Sequence, residues 1–189
     1  NYGYNIGSIL LETYGDASVM IRAKAMAAAG SDARMNGCEM PVIINSGSGN
    51  QGMTTSLPVI EYAKELKVSE EKLYRALALA NLVTIHQKTS IGRLSAFCGA
   101  VSAGAGAGAG IAYLRGADVD GVSHTVANAI ATTGGIVCDG AKASCASKIA
   151  QGSADLLLAL CRLLHQGDCR HHPSGRQYSL HSQEFFPSE

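Results

Sequence analysis

Residues 95–114 read SAFCGAVSAGAGAGAGIAYL, and the run from Leu94 to Leu114 holds no charged residue. Read as a helix from Ser95 to Leu114, it places Gly104, Gly106, Gly108 and Gly110 in the interior, where each costs about 1 kcal/mol relative to Ala. Close packing has to offset that penalty. At roughly 100° per residue, Gly104 and Gly108 share one face while Gly106 and Gly110 lie nearly opposite, so backbones can approach from two sides. Such a helix belongs at the centre of a bundle. A membrane span would have the length but not the apolarity, and a silk-like β segment needs many more repeats. The expected fold is therefore all-α, a helical bundle around this buried Gly/Ala helix.

Upstream, Gly37-Cys38-Glu39-Met40-Pro41 leads into Val42-Ile43-Ile44, and residues 41–44 could form at most a short strand. Then comes Asn45-Ser46-Gly47-Ser48-Gly49-Asn50-Gln51, glycines for tight turns interleaved with neutral hydrogen-bonding side chains. A helix is expected at once, Ser56 to Leu66 with Pro58 in its first turn, aiming free amides at whatever the loop holds. That arrangement suits a carboxylate or a phosphate. The plainer reading is a Gly/Ser connector with no ligand.

Other helices are expected at Ile6–Tyr14, at Ala17–Ala29 with Asp16 as N-cap and Gly30 as stop, and after Ser69 with Glu70 and Glu71 in the first turn. That last helix carries Leu73, Leu77 and Ala80 on one face and ends in His86, Gln87 and Lys88. His86 there has an ordinary reading, since cations are favoured at helix C-termini. Lys88 and Arg93 could also bring positive charge near Cys98. Asp118–Thr133, containing His124, is a further amphipathic helix. Proline is absent from Val59 to His172, and alternating β-branched runs are scarce, which agrees with an all-α domain.

Lys plus Arg and Asp plus Glu both number 15, so no imbalance points to nucleic acid or an anionic membrane surface. No basic-plus-apolar leader is visible, which makes the expected location cytoplasmic, and the six cysteines then read as thiols or ligands rather than a disulfide framework. Cys98 opens the Gly/Ala helix; Cys138 and Cys145 frame the segment CDGAKASC. Zinc knuckles and ferredoxin spacings are absent, so spacing alone leaves a metal site and buried packed thiols both open. A helix starting at Asp139 or Gly140 would put Cys138 just ahead of its N-terminus, with Lys142 before Cys145, a setting that stabilises thiolates.

The segments GCEMPVIINSGSGNQGMTTSLPVIEYAKEL, HQKTSIGRLSAFCGAVSAGAGAGAGIAYL and CDGAKASCASKIA resemble the iron–sulfur L-serine dehydratase α-chain family, and within it the L-cysteine desulfidase-like branch. The resemblance runs from about Asn5 to Ala150. It implies a helical catalytic domain over residues 1–151, with 152–189 a divergent tail in which Leu156–Leu164 could be helical; Cys161, Cys169 and the His171-His172 pair carry nothing over from the family. It further implies that Cys98, Cys138 and Cys145 hold a [4Fe–4S] cluster with one iron open to a small amino-acid substrate. The loop Asn45, Ser46, Gly47, Ser48, Gly49, Asn50 and Gln51 would take the substrate carboxylate, with His86 and Lys88 as candidate catalytic groups.

The implied reaction is α,β-elimination of L-cysteine to pyruvate, ammonia and hydrogen sulfide, or the same elimination from L-serine. The family's further N-terminal part, including a cysteine proposed as the base in the desulfidase branch, has no counterpart in this sequence. Cys38 does not match that position and reads as a packed thiol beside the loop. A non-catalytic chain needing an N-terminal or β-type domain, or a homo-oligomer, is the second expectation. A pyridoxal phosphate lyase, echoed by Ser48-Gly49-Asn50, is a third and lacks a recognisable Schiff-base lysine and phosphate cup.

Overall fold

The computed structural model describes residues 2–93, 95–133, 140 and 142–150. Asp139, one of the two expected starts of a helix after Cys138, the ligand candidate Cys138 itself and the whole 152–189 tail lie outside the described residues. Six α-helices follow one another: α1 (Ile6–Tyr14), α2 (Val19–Met35), α3 (Gly49–Glu65), α4 (Glu70–Ile91), α5 (Gly99–Leu114) and α6 (Val119–Thr133). Residues 145–150 are also helical. There is no sheet among the described residues; an isolated bridge joins Asn45 to Ser48, and Val42-Ile43-Ile44 forms no strand. The fold is all-α.

α5 packs against α3, α4 and α6, and every residue from Ser102 to Ala112 is buried. The glycines are what allow this. A Cβ added at Gly106 would meet the Thr84 hydroxyl and sit 2.5 Å from the Ala80 carbonyl oxygen, while one at Gly110 would lie 2.9 Å from Val59 and 3.0 Å from the Ala76 carbonyl. The Gly106/Gly110 stripe is thus the seat of α4, with α3 reaching it through Val59. Alanines fill the core around it, with Val59, Tyr62, Ile111 and Leu114 as its larger members.

Two threonine hydroxyls inside this interface are paired. Thr84 Oγ1 donates to the Ala80 carbonyl of its own helix at 2.9 Å, and its hydroxyl lies 3.2 Å from that of Thr55 on α3. Each buried hydroxyl so satisfied is worth about 1 kcal/mol, and leaving one unpaired would cost more.

Four boundaries depart from expectation, two of them for a packing reason. α2 begins after Ser18 rather than Asp16 and continues through Gly30 to Met35. Gly30 does not end the helix because it serves as a contact: a Cβ there would meet Met53 at 2.9 Å and Leu57 at 3.3 Å on α3. α3 begins at Gly49, not Ser56, so Pro58 lies buried in mid-helix, where its missing N–H costs roughly 3 kcal/mol that packing by Thr54, Thr55, Val59 and Tyr62 must offset. α5 starts at Gly99 with Cys98 as its N-cap, and α4 runs on to Ile91, which keeps Lys88 in its last turn as expected and His86 just before it.

α1 docks on α2 through Gly7, whose Cβ position lies 2.7 Å from the Ala25 carbonyl oxygen. Ser69 caps α4 as expected, its hydroxyl accepting from the Lys72 amide at 3.3 Å. No helix among the described residues is long and apolar enough to cross a membrane.

Candidate active site at two helix N-termini

Asn45-Ser46-Gly47-Ser48 closes on itself, with the Asn45 amide donating to the Ser48 carbonyl at 3.2 Å and the Ser48 amide to the Asn45 carbonyl at 3.1 Å. Ser46 (φ 49°) and Gly47 (φ 89°) are both left-handed, the signature of a type I′ turn. The turn delivers the chain into α3 at Gly49. What was expected to be a seven-residue loop is a four-residue turn followed by the first turn of a helix.

Its side chains go to different places. Asn45 is buried, and its Nδ2 donates to Asn81 Oδ1 on α4 at 2.7 Å, while its own Oδ1 accepts from the Ser46 hydroxyl at 2.8 Å. Asn45 therefore pins the turn to α4. Asn50 Oδ1 accepts from Arg34 Nη1 at 3.1 Å. Arg34, unnoticed in the sequence, comes from the last turn of α2, and its Nε lies 2.8 Å from where a Gly49 Cβ would be. A single arginine ending a helix carries no signal that could have found it.

Gln51 turns the other way, toward α5. Its side chain occupies the place of a Gly99 Cβ, with Cγ at 2.7 Å from that position, so Gly99 has to be glycine for the contact to exist. Gln51 is 7% exposed and its Oε1 has no partner among the described residues. The α3 start and the α5 start thus meet through one carboxamide, beside Cys98.

Cys98 is half-buried at the N-cap of α5 and makes no side-chain cap, so the positive end of the α5 dipole lies beside the sulfur. It packs against Ala27, Ala100 and Ile149. Ile149 lies one helical turn beyond Cys145, on the same face of the 145–150 helix. Cys145 is half-buried and its Sγ sits 3.8 Å from the Gly140 carbonyl oxygen. Among the described residues no three His, Cys, Asp or Glu side chains converge to hold a metal, Cys138 being outside them. Cys98 thus packs on the helix that Cys145 opens, and thiols at helix starts are the kind of donor an iron–sulfur cluster takes.

Lys88 is 2% exposed, and Nζ donates to the Ser95 hydroxyl at 3.1 Å, which itself donates to the Phe97 carbonyl just ahead of Cys98. No carboxylate among the described residues pairs with it. His86, two positions away on α4, points to solvent and is not brought to this corner. Cys38 is distant in role as well: it lies beside the Tyr2 hydroxyl, whose pKa is raised by that hydrogen bond and by the neighbouring sulfur's charge.

Residues 2–172 match the family described as serine dehydratase alpha chain. Among curated proteins, the chain is 71% identical over 150 residues to a UPF0597 protein (DSY1109) of Desulfitobacterium hafniense, covering 79% of this chain and 35% of that protein. It is 68% identical over 149 residues to a UPF0597 protein of Lachnoclostridium phytofermentans, covering 79% and 36%, and 42% identical over 172 residues to one of Phocaeicola vulgatus, covering 88% and 40%. The chain therefore spans only a little over a third of the length of these relatives. No solved structure matches. With 171 of its 189 residues inside the matched range, this chain belongs to the serine dehydratase alpha chain family.

Proposed function

We propose that the protein is a lyase, or the portion of one that carries the site, and that it removes the β-substituent of a small amino acid, L-cysteine in the first instance. The single observation that carries this reading is the contact of Gln51 with Gly99, which joins the turn-and-helix segment expected to hold a carboxylate to the N-cap Cys98. Family membership supports the serine dehydratase class of chemistry, and the relatives' printed names add no substrate.

Cys98, Cys138 and Cys145 would hold a [4Fe–4S] cluster, which when bound supplies an iron without a protein ligand as Lewis acid toward the substrate's thiolate or hydroxyl. The rest falls to the protein. The opening amides of α3 and α5 offer donors to a carboxylate, and Arg34 adds positive charge at the α3 start. Lys88 Nζ, buried with a neutral hydroxyl as its described partner, would serve as the proton-carrying group next to the segment leading into Cys98. Loss of the α-proton and of the β-thiol as hydrogen sulfide gives aminoacrylate, which tautomerises and takes up water to yield pyruvate and ammonia. Serine would lose water in place of hydrogen sulfide.

The coverage of a little over a third of each relative favours a second reading, in which this chain contributes the site but turns over only with the remaining polypeptide or a β-type partner. Anaerobic purification with iron and sulfide counts and a visible spectrum tests the cofactor; pyruvate and sulfide release from cysteine and from serine, with and without the remaining polypeptide, tests the reaction. A broad iron–sulfur absorption lost in Cys138→Ser supports the assignment. A discrete aldimine band, or iron and turnover retained in Cys138→Ser, removes it.

A further inference from the structure

Val42-Ile43-Ile44 forms no strand and is fastened to the bundle at its far end. Asn45 Nδ2 donates to Asn81 Oδ1 on α4 at 2.7 Å, and the Ile43 carbonyl lies against Gly52 in the first turn of α3, where a Cβ would run into it. On α4 the neighbours of Asn81 are Leu82 beside it and Ile85 one turn on. Ile43, Ile44, Leu82 and Ile85 are each between 46% and 84% exposed, so the Asn45–Asn81 staple gathers four large apolar side chains on one open face. No Asp, Glu, Lys or Arg occurs from Met40 to Ile60 or from Ala76 to Gln87 to make that face polar.

Apolar residues exposed singly need no explanation, but a contiguous group on an uncharged face does. The lack of Lys and Arg argues against a nucleic acid or an anionic membrane as the occupant. A Leu or Ile side chain carries on the order of 100 Å² of apolar surface by its transfer free energy, so at these exposures the four present roughly 250 Å². A stable association with a second copy needs about 800 Å² from each partner. Contacts between parts of one polypeptide hold with about 300–750 Å² a side, because the covalent link keeps the two surfaces at high effective concentration. The relatives show how much polypeptide that could be: 150 matched residues are 35% of the Desulfitobacterium protein, which leaves about 280 of its residues outside the match.

We propose that the face formed by Ile43, Ile44, Leu82 and Ile85 is where the remaining polypeptide of the full-length protein docks, through an apolar, uncharged surface of its own. This docking rests on the reading in which the chain turns over only with that polypeptide, and gives the contact a place. Because Asn45 belongs to the turn that opens α3, whatever covers Ile44 also stands at the edge of the candidate site.

Side-chain footprinting with hydroxyl radicals tests this by comparing the chain alone with a full-length protein in which it replaces the matched segment of the Desulfitobacterium relative. Ile43, Ile44, Leu82 and Ile85 should label freely in the first and at least roughly fivefold less in the second, as side chains at the core of an interface lose contact with water. Leu82→Asp should leave the melting temperature of the chain alone within about 2 °C, since an exposed change is nearly neutral, and should lower that of the full-length protein by several degrees. Should the replacement not fold, the intact relative, labelled at the aligned positions, carries the test alone. Equal labelling of the four side chains in both forms overturns the proposal. So does protection already present in the chain alone: if it sediments as a dimer the occupant is a second copy, and if as a monomer it is another segment of this chain. Neither measurement needs iron or substrate. A full-length protein that buries this face yet neither holds iron nor converts cysteine or serine therefore sinks the lyase reading and leaves the docking face standing.

Discussion

Gly106 of α5 rests against Ala80 of α4 so closely that a Cβ at 106 would stand 2.5 Å from the Ala80 carbonyl oxygen and run into the Thr84 hydroxyl. Gly106→Ala therefore opposes two effects. Helix propensity gains about 1 kcal/mol, while forcing α4 and α5 apart costs about 1–3 kcal/mol and strains the Thr84 hydrogen bonds as well. The clash wins, because the nearest atoms belong to backbone and to a hydrogen-bonded hydroxyl rather than to a flexible tip. At Gly110 the nearest contacts are looser, 2.9 to 3.1 Å. Thermal unfolding should rank the variants, Gly106→Ala losing several degrees and Gly110→Ala less, at about 2–4 °C per kcal/mol for a chain of this size. A Gly106→Ala protein as stable as wild type would show that the α4–α5 seat is wrong.

How far the chain could be read without coordinates follows from the same helix. Its burial was legible because Gly at four interior positions makes no sense in an exposed helix. Helix ends were harder, since glycine has two uses: Gly30 looked like a stop and is a contact for Met53 and Leu57. Pro58 looked like a first-turn residue and sits in mid-α3, because buried packing on either side overrides a local preference. In the site, the cysteines stood out through the family resemblance, and Lys88 as a positive charge that could come near Cys98, whereas its burial was not legible, since helix position alone does not set how deep a lysine lies. Arg34 and the Gln51–Gly99 contact depend on tertiary approach and have no local signature.

Asp32 is 2% exposed on α2, and its carboxylate accepts from the Ile6 amide at 2.8 Å and the Tyr4 amide at 3.3 Å. It thus caps α1 from a neighbouring helix, doing what Asn5 at the N-cap position does not. Asp32→Ala should release the first turn of α1 and cost about 1–3 kcal/mol, with Asp32→Asn intermediate because one acceptor survives. Hydrogen exchange should accelerate at α1 and leave α5 unchanged. Uniform acceleration through the bundle would mean that Asp32 supports the core rather than α1.

Thr55 and Thr84 share a hydrogen bond across α3 and α4. Thr84→Val removes the donor to Ala80 and leaves the Thr55 hydroxyl short of a partner, so it should cost about 1–2 kcal/mol. Pairing it with Thr55→Val should cost less than the sum of the single changes, since the second substitution removes the stranded hydroxyl. Denaturant unfolding of the four proteins in the cycle gives the coupling directly. Strict additivity would mean that the two hydroxyls do not interact.

Lys88 separates stability from function. A protonated amine has three donors to place, and in this interior the described acceptor is the Ser95 hydroxyl. Lys88→Met keeps the length of the chain and removes a buried charge, a change that is often neutral or stabilising for a fold. If Nζ holds a proton or steadies an anion in the site, turnover should nevertheless fall by about 100-fold while iron content is retained. Ser95→Ala, which removes only the partner, should fall less. The measurements are melting temperature, bound iron and kcat for cysteine and serine, made on the form of the protein that turns over. A Lys88→Met variant that melts early yet keeps kcat within about twofold would make Lys88 a strut of the α4–α5 connection and leave the proton to another group.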